Sequence, residues 1–207
     1  MALIKTTAPA EQPLQARIET RDYPGLLRQL DEHDPAVRRW AARDLLGYPQ
    51  ASASLLARLQ VEADRSVREI IFTSLTRLGD AVAVAGMVEC LRSDDAQMRN
   101  EAIEAMKELP DAVAPIMSSL LSDPDSDVRI MAVNVLESLC HPQVEQWLID
   151  VIEIDPFVNV CGTAVDLLGE VGTDAAHGAL ERLKQRFAAE PYIQFAADLA
   201  LKRSAKG

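Results

Sequence analysis

Four short segments decide how this chain is read: Asp34-Pro-Ala-Val-Arg38, Asp64-Arg-Ser-Val-Arg68, Asp95-Ala-Gln-Met-Arg99 and Asp125-Ser-Asp-Val-Arg129. They recur at intervals of 30, 31 and 30 residues. Self-similarity at such a period marks stacked supersecondary units. With the Val or Met as position zero, position four holds Ala41, Ile71, Ala102 and Ala132. Position eight holds Leu45, Leu75, Met106 and Leu136, and position eleven Tyr48, Leu78, Leu109 and Leu139. Steps of four, four and three follow one face of a 3.6-residue helix. Each Asp stands at an N-cap, where its carboxylate accepts free N–H groups of the first turn and complements the helix dipole. Pro35 takes the first helical position, where a missing N–H costs nothing.

Working outward, an apolar helical set precedes each segment: Leu26, Leu27, Leu30; Leu55, Leu56, Leu59; Met87, Val88, Leu91; and Ile116, Leu120, Leu121. Turn signals separate the units at Gly47 to Pro49, Gly79-Asp80, Pro110-Asp111 and His141-Pro142. Two weaker units follow. The fifth carries Val144, Trp147, Leu148 and Val151, and its second helix is expected to open at Asp155-Pro156. Anchoring it on Val158 puts Asp166 at a core position. Anchoring on Val160 restores Ala164, Leu168 and Val171-Gly172, and is preferred. The Arg slot then holds Cys161. The sixth unit pairs Leu180, Leu183 and Phe187 with Ile193, Ala197 and Leu201, with Gln194 in the Arg slot. Loss of the repeating polar residue near one end fits a capping repeat.

The pattern D-x-x-V-R-x-x-A-x-x-x-L-x-x-L-G resembles HEAT repeats, most closely the short bacterial type named after phycobilisome lyases. The resemblance covers roughly residues 22–203. It implies an all-α fold, a right-handed α-solenoid of about six helix-turn-helix repeats near 22–48, 50–79, 80–110, 111–141, 142–172 and 173–204. Residues 14–207 then read as one repeat domain and 1–13 as a flexible arm, with a helix at Leu14 to Thr20 as an alternative cap on the first repeat. Such folds host many functions.

Arg38, Arg68, Arg99 and Arg129 lie about 100° around the helix from the core stripe. They are expected to pair with cap carboxylates or helix-end carbonyls of an adjacent unit. Asp34, Asp64, Asp95 and Asp125 are the natural partners, because guanidinium and carboxylate match as a fork. In HEAT-like folds the second helix lines the inner curve, and the face opposite the core falls at positions two, six and nine. Position two holds Arg39, Glu69, Asn100 and Ile130, and position six Arg43, Thr73, Glu104 and Asn134. On the flank, position three holds Trp40, Ile70, Glu101 and Met131. With Glu108 these residues give a face that is basic and aromatic at one end and acidic further on. Arg, Met and aromatic side chains are favoured in interface cores. Packing of Trp40, Ile70 and Met131 between helices is the competing reading.

The chain has 207 residues, 48% of them apolar, and a formal net charge of −11. That apolar fraction excludes intrinsic disorder. No run of about 18 apolar residues spans a membrane, and residues 1–13 show no secretory signal. The charge is −14 within 61–170, against +1 before and +2 after. Such acidity argues against nucleic acid, whose binding rests on cationic contacts to phosphate. That also disfavours a HEAT-like DNA-repair glycosylase. Cys90, Cys140 and Cys161 read as reduced, buried thiols in a cytoplasmic setting.

No catalytic constellation emerges, and neither a metal nor a cofactor is expected. His33, His141 and His177 lie far apart, and none begins the His-Glu pair of HEAT-type di-iron hydroxylases. Asp123-Pro-Asp125-Ser-Asp127 lacks the glycine and the terminal acid of a calcium loop and reads as a capped turn. The leading expectation is a non-enzymatic protein-binding module with a partner presenting a basic segment. The alternative, implied by the resemblance, is a bilin lyase-like or chromophore-handling subunit that acts with a partner.

Overall fold

Aspartates start the first helix and the second helix of each of the first four repeats. Asp22 accepts from the Gly25 N–H at 3.0 Å, Asp34 from Ala36 at 2.8 Å, Asp64 from Ser66 at 2.9 Å and Val67 at 3.2 Å, Asp95 from Gln97 at 2.9 Å and Asp125 from Asp127 at 2.9 Å. Each satisfies N–H groups that a helix start leaves unpaired. The structure, a computed structural model, describes residues 22–204. The arm expected at 1–13 and the helix weighed at 14–20 lie outside the described residues.

Among the described residues twelve α-helices follow: α1 (Tyr23–Leu30), α2 (Pro35–Asp44), α3 (Ser52–Leu59), α4 (Arg65–Leu78), α5 (Ala81–Cys90), α6 (Ala96–Lys107), α7 (Pro110–Leu120), α8 (Ser126–Leu136), α9 (Val144–Ile154), α10 (Val158–Val171), α11 (His177–Arg186) and α12 (Pro191–Ser204). No strand occurs among the described residues. Among the described residues the fold is all-α, in six consecutive helix pairs. Gly79 ends α4 with φ 57°, a left-handed conformation that glycine adopts without steric cost.

The described residues fall into two compact units divided between Gly86 and Met87, within α5. In the first, α2 packs on α4, and the buried Ser74 hydroxyl donates to the Ala42 carbonyl at 3.0 Å. The Ser52 hydroxyl bonds Asp80 at 2.6 Å, while Asp80 also caps α5 through the Ala83 N–H. In the second unit the successive second helices α6, α8, α10 and α12 pack in order.

The repeat pattern and the core coincide. Position four (Ala41, Ile71, Ala102, Ala132) and position eight (Leu45, Leu75, Met106, Leu136) are buried in all four repeats. Ala at position four lets neighbouring helices approach closely, and the bulk comes from position eight. Val37, Met98, Tyr48, Leu78 and Leu109 are only half-buried. In the fifth repeat Val160, Ala164 and Leu168 are buried and Asp166 is exposed, as the Val160 anchor requires. That helix does not open at Asp155-Pro156. It opens at Val158, with Phe157 as N-cap and no side-chain cap. The Asp155 carboxylate is buried against Arg129 and accepts the Phe157 N–H.

Candidate functional site

The repeated arginines sit in the first turns of the second helices, and side chains there lean back toward the preceding loop. Arg38 donates to the carbonyls of Glu32 at 2.8 Å and His33 at 2.9 Å. Arg99 donates to the Ser93 carbonyl at 2.6 Å, and Arg129 to that of Asp123 at 2.7 Å. These carbonyls belong to the turn inside the same repeat. For Arg38 and Arg129 the carboxylate partner comes from the next repeat, and it is not the cap. Arg38 forks onto Glu62, Nε–Oε2 2.7 Å and Nη2–Oε1 2.8 Å. Arg129 forks onto Asp155 at 2.6 and 3.2 Å. Pairing with Asp34, Asp64, Asp95 or Asp125 is thus corrected for Arg38 and Arg129. The caps are turned to their own helix N–H groups, and carboxylates two or three residues before the next helix start point back at the arginines. Arg68 is half-buried in α4.

Two repeats lack the arginine and keep its task. The Cys161 thiol donates to the Asp155 carbonyl at 3.3 Å, and Arg186 reaches from α11 to the carbonyls of Ile152 at 2.8 Å and Asp155 at 2.9 Å. Gln194 donates to the carbonyls of Lys184 at 2.9 Å and Phe187 at 3.1 Å. The ladder satisfies helix-end carbonyls that would otherwise be orphaned.

Around the second helices, positions two and six are exposed in the first three repeats, but Ile130 and Asn134 in the fourth are half-buried. Arg39, Glu69, Arg43, Thr73 and Glu104 are exposed, whereas Trp40, Ile70, Glu101, Met131 and Asn134 are half-buried. In the first unit the Arg43 guanidinium lies 5.6 Å from the Trp40 ring centre, Arg39 donates to the Ser66 hydroxyl at 3.1 Å, Arg65 pairs with Glu69 at 3.0 Å and the Thr73 hydroxyl donates to the Glu69 carbonyl at 2.8 Å. That end carries charge of both signs.

In the second unit the row is acidic. Glu104 and Glu137 share Lys107 at 2.9 and 2.8 Å, and Glu108 is exposed. Glu101 accepts from the Gln97 amide at 2.8 Å, and its Oε2 is buried without a hydrogen bond. The row continues onto α10. A shallow groove of about 230 Å³ between α8 and α10 is lined by Asn134, Glu137, Asp166 and Glu170, among others. Asp166 falls at position six of the Val160 register, the signal that locates it from sequence.

Among the described residues, no three or more His, Cys, Asp or Glu side chains are placed to hold a metal ion. His141 stacks on Trp147 with ring centres 5.0 Å apart, and His177 bonds the Ser204 hydroxyl at 2.7 Å. All three cysteines are free thiols. Burial, first of all, pushes Cys90 and Cys161 up to about 11. Of the three thiols expected to be buried, only Cys161 is; Cys90 is half-buried, and Cys140 is exposed because it lies in the turn after α8. Asp123 and Asp125 are turn and cap residues: Asp123 binds Arg92 and the Asp125 N–H. No described helix is long and apolar enough to cross a membrane.

The family described as HEAT repeats matches residues 23–107 and 113–202. The chain is 40% identical over 75 residues to the bilin biosynthesis protein PecE of Nostoc sp., a match covering 35% of this chain and 30% of that protein. The PecE of Mastigocladus laminosus matches at 40% over 75 residues, 35% of this chain and 28% of that protein. The matches thus span under a third of these relatives' own length. The archaeal HEAT-like repeats protein of Thermococcus onnurineus NA1 superposes with a TM-score of 0.49 at 18% identity, covering 93% of this chain and 94% of that one.

Proposed function

The chain belongs to the HEAT-repeat family, and from that premise we propose that it is a non-enzymatic module that binds a partner protein on the exposed face of its second helices. The observation that carries this reading is the acidic row of the second unit. Glu104, Glu108, Glu137, Asp166 and Glu170 are exposed on α6, α8 and α10, or at their ends. The fold spends its cap aspartates and buried carboxylates on its own helix starts and arginines, but Glu108 and Glu170 serve no such need. A partner segment rich in Lys or Arg suits this row, and such complementarity sets association rate and specificity more than affinity. Nucleic acid and membranes do not suit it. Three free thiols fit a reducing, cytoplasmic setting.

The test is co-precipitation from the native source, comparing the natural chain with a Glu108→Lys/Glu170→Lys variant. Both residues are exposed, so the fold tolerates the change. Loss of a captured protein at constant melting temperature supports the reading, and unchanged capture sinks it.

The local identity to PecE favours a second reading, in which the chain is a subunit of a chromophore-handling pair. A bilin added to the protein, alone and with its captured partner, shifts in visible absorbance under this reading. An unchanged spectrum in both mixtures removes it.

A further inference from the structure

A groove of about 510 Å³ opens between the α7–α8 turn and the α9–α10 turn, away from the second-helix row. Its size lies within the ordinary range of ligand sites. We propose that it binds an extended segment of a partner protein in which a bulky apolar side chain stands beside a lysine or arginine.

The apolar half of that requirement comes from the walls. Leu121, Trp147 and Val151 line the interior, and Trp147 is held in place by its stack on His141. Ile154 and Phe157 stand at the rim, 79% and 53% exposed. Two large apolar residues left in water beside an apolar-walled groove mark a contact surface. A small molecule inside the groove leaves that rim uncovered, whereas an extended chain lies across it.

The cationic half comes from the charges. Arg129 is the cation of the lining, and it is already engaged. Nε and Nη2 are given to Asp155, and Nη1 to the carbonyls of Asp123 and Pro124. Its face is covered by the Phe157 ring at 5.1 Å. It therefore has little left to offer an anion. Asp155 is neutralised by Arg129 and Asp123 by Arg92. Asp150 accepts from the neutral Gln146 amide at 2.8 Å and has no ion-pair partner among the described residues. One uncompensated carboxylate beside an apolar wall selects an apolar-cationic pair.

The test titrates two peptides, Ac-Gly-Phe-Lys-Gly-NH2 and Ac-Gly-Phe-Glu-Gly-NH2, into the isotopically labelled full chain and follows backbone amide signals. The Lys peptide is expected to shift amides in 118–124 and 147–157 and to bind about fivefold tighter than the Glu peptide, the scale of one exposed ion pair. Asp150→Asn abolishes that preference, and Ile154→Ser weakens both peptides. Both positions are exposed, and thermal melts verify that each variant stays folded. Glu108→Lys leaves the titration unchanged, which separates this groove from the second-helix face. Shifts confined to other residues, no shifts at all, or equal binding of the two peptides overturns the proposal.

Discussion

Arg38 and Glu62 meet as a buried fork, 2.7 and 2.8 Å between paired atoms, with the Glu62 side chain fully shielded from water. Twenty-four residues separate them, so the pair ties the first repeat to the loop that opens the second helix of the next. Burial pushes the Glu62 carboxyl up, but hydrogen bonds from Arg38, the Asp64 N–H and Arg58 outweigh it and hold the group at about 2.

That depression makes stability depend on acid. Relative to an ordinary value of 4.5, a folded value of about 2 favours the folded state once Glu62 is ionised. The contribution, up to about 3 kcal/mol, is complete above about pH 4.5 and is lost as pH falls toward 2. Denaturant unfolding of the natural chain and Glu62→Gln at pH 7, 4, 3 and 2 is expected to show a stability gap that closes across that window. A gap constant with pH refutes the assignment.

The two forks differ in what remains after one partner is removed. Arg38→Ala leaves Glu62 bonded to Arg58 and the Asp64 N–H. Arg129→Ala leaves buried Asp155 with the Phe157 N–H alone and removes the guanidinium from that ring. Stranding a buried charge costs about 3–5 kcal/mol. Arg129→Ala is expected near the upper end and Arg38→Ala near or below the lower, measured by urea unfolding.

Arg186 stands in for the arginine missing at position 161. Arg186→Leu removes the donor shared by the carbonyls of Ile152, Glu153 and Asp155. The expected loss is about 1–2 kcal/mol, the scale of unsatisfied carbonyls at a helix end. Faster amide exchange at the end of α9 reports the same event locally.

Thiol chemistry separates the three cysteines. Burial holds Cys90 and Cys161 near 11, so both stay almost wholly protonated at pH 8. Only the thiolate reacts. A thiol reagent at pH 8 is expected to label Cys140 rapidly, half-buried Cys90 far more slowly and buried Cys161 only on unfolding, and Cys140→Ser abolishes the fast phase.

Much of this molecule is written locally. The spacing of Val67, Ile71 and Leu75, the cap at Asp64 and the glycine at Gly79 each act within one helix, so they define that helix from the chain alone. The exposed row at Arg39, Arg43, Glu69, Thr73 and Glu104 follows from the same geometry. Asp155 did not yield to this reasoning. Its place before a proline reads as a cap, yet its carboxylate belongs to Arg129, 26 residues earlier.

Sequence by itself determined the repeat, its helix phase and the innermost core at positions four and eight, because those depend on contacts within one turn or one period, whereas the depth of positions zero and eleven was set by packing. Tertiary structure alone decided the partners of the arginines, the substitution of Arg186 for a missing one, and the groove beside Ile154 and Phe157. These arise where loops of successive repeats converge, and the direction of a side chain across such a junction is set by packing that no periodicity encodes.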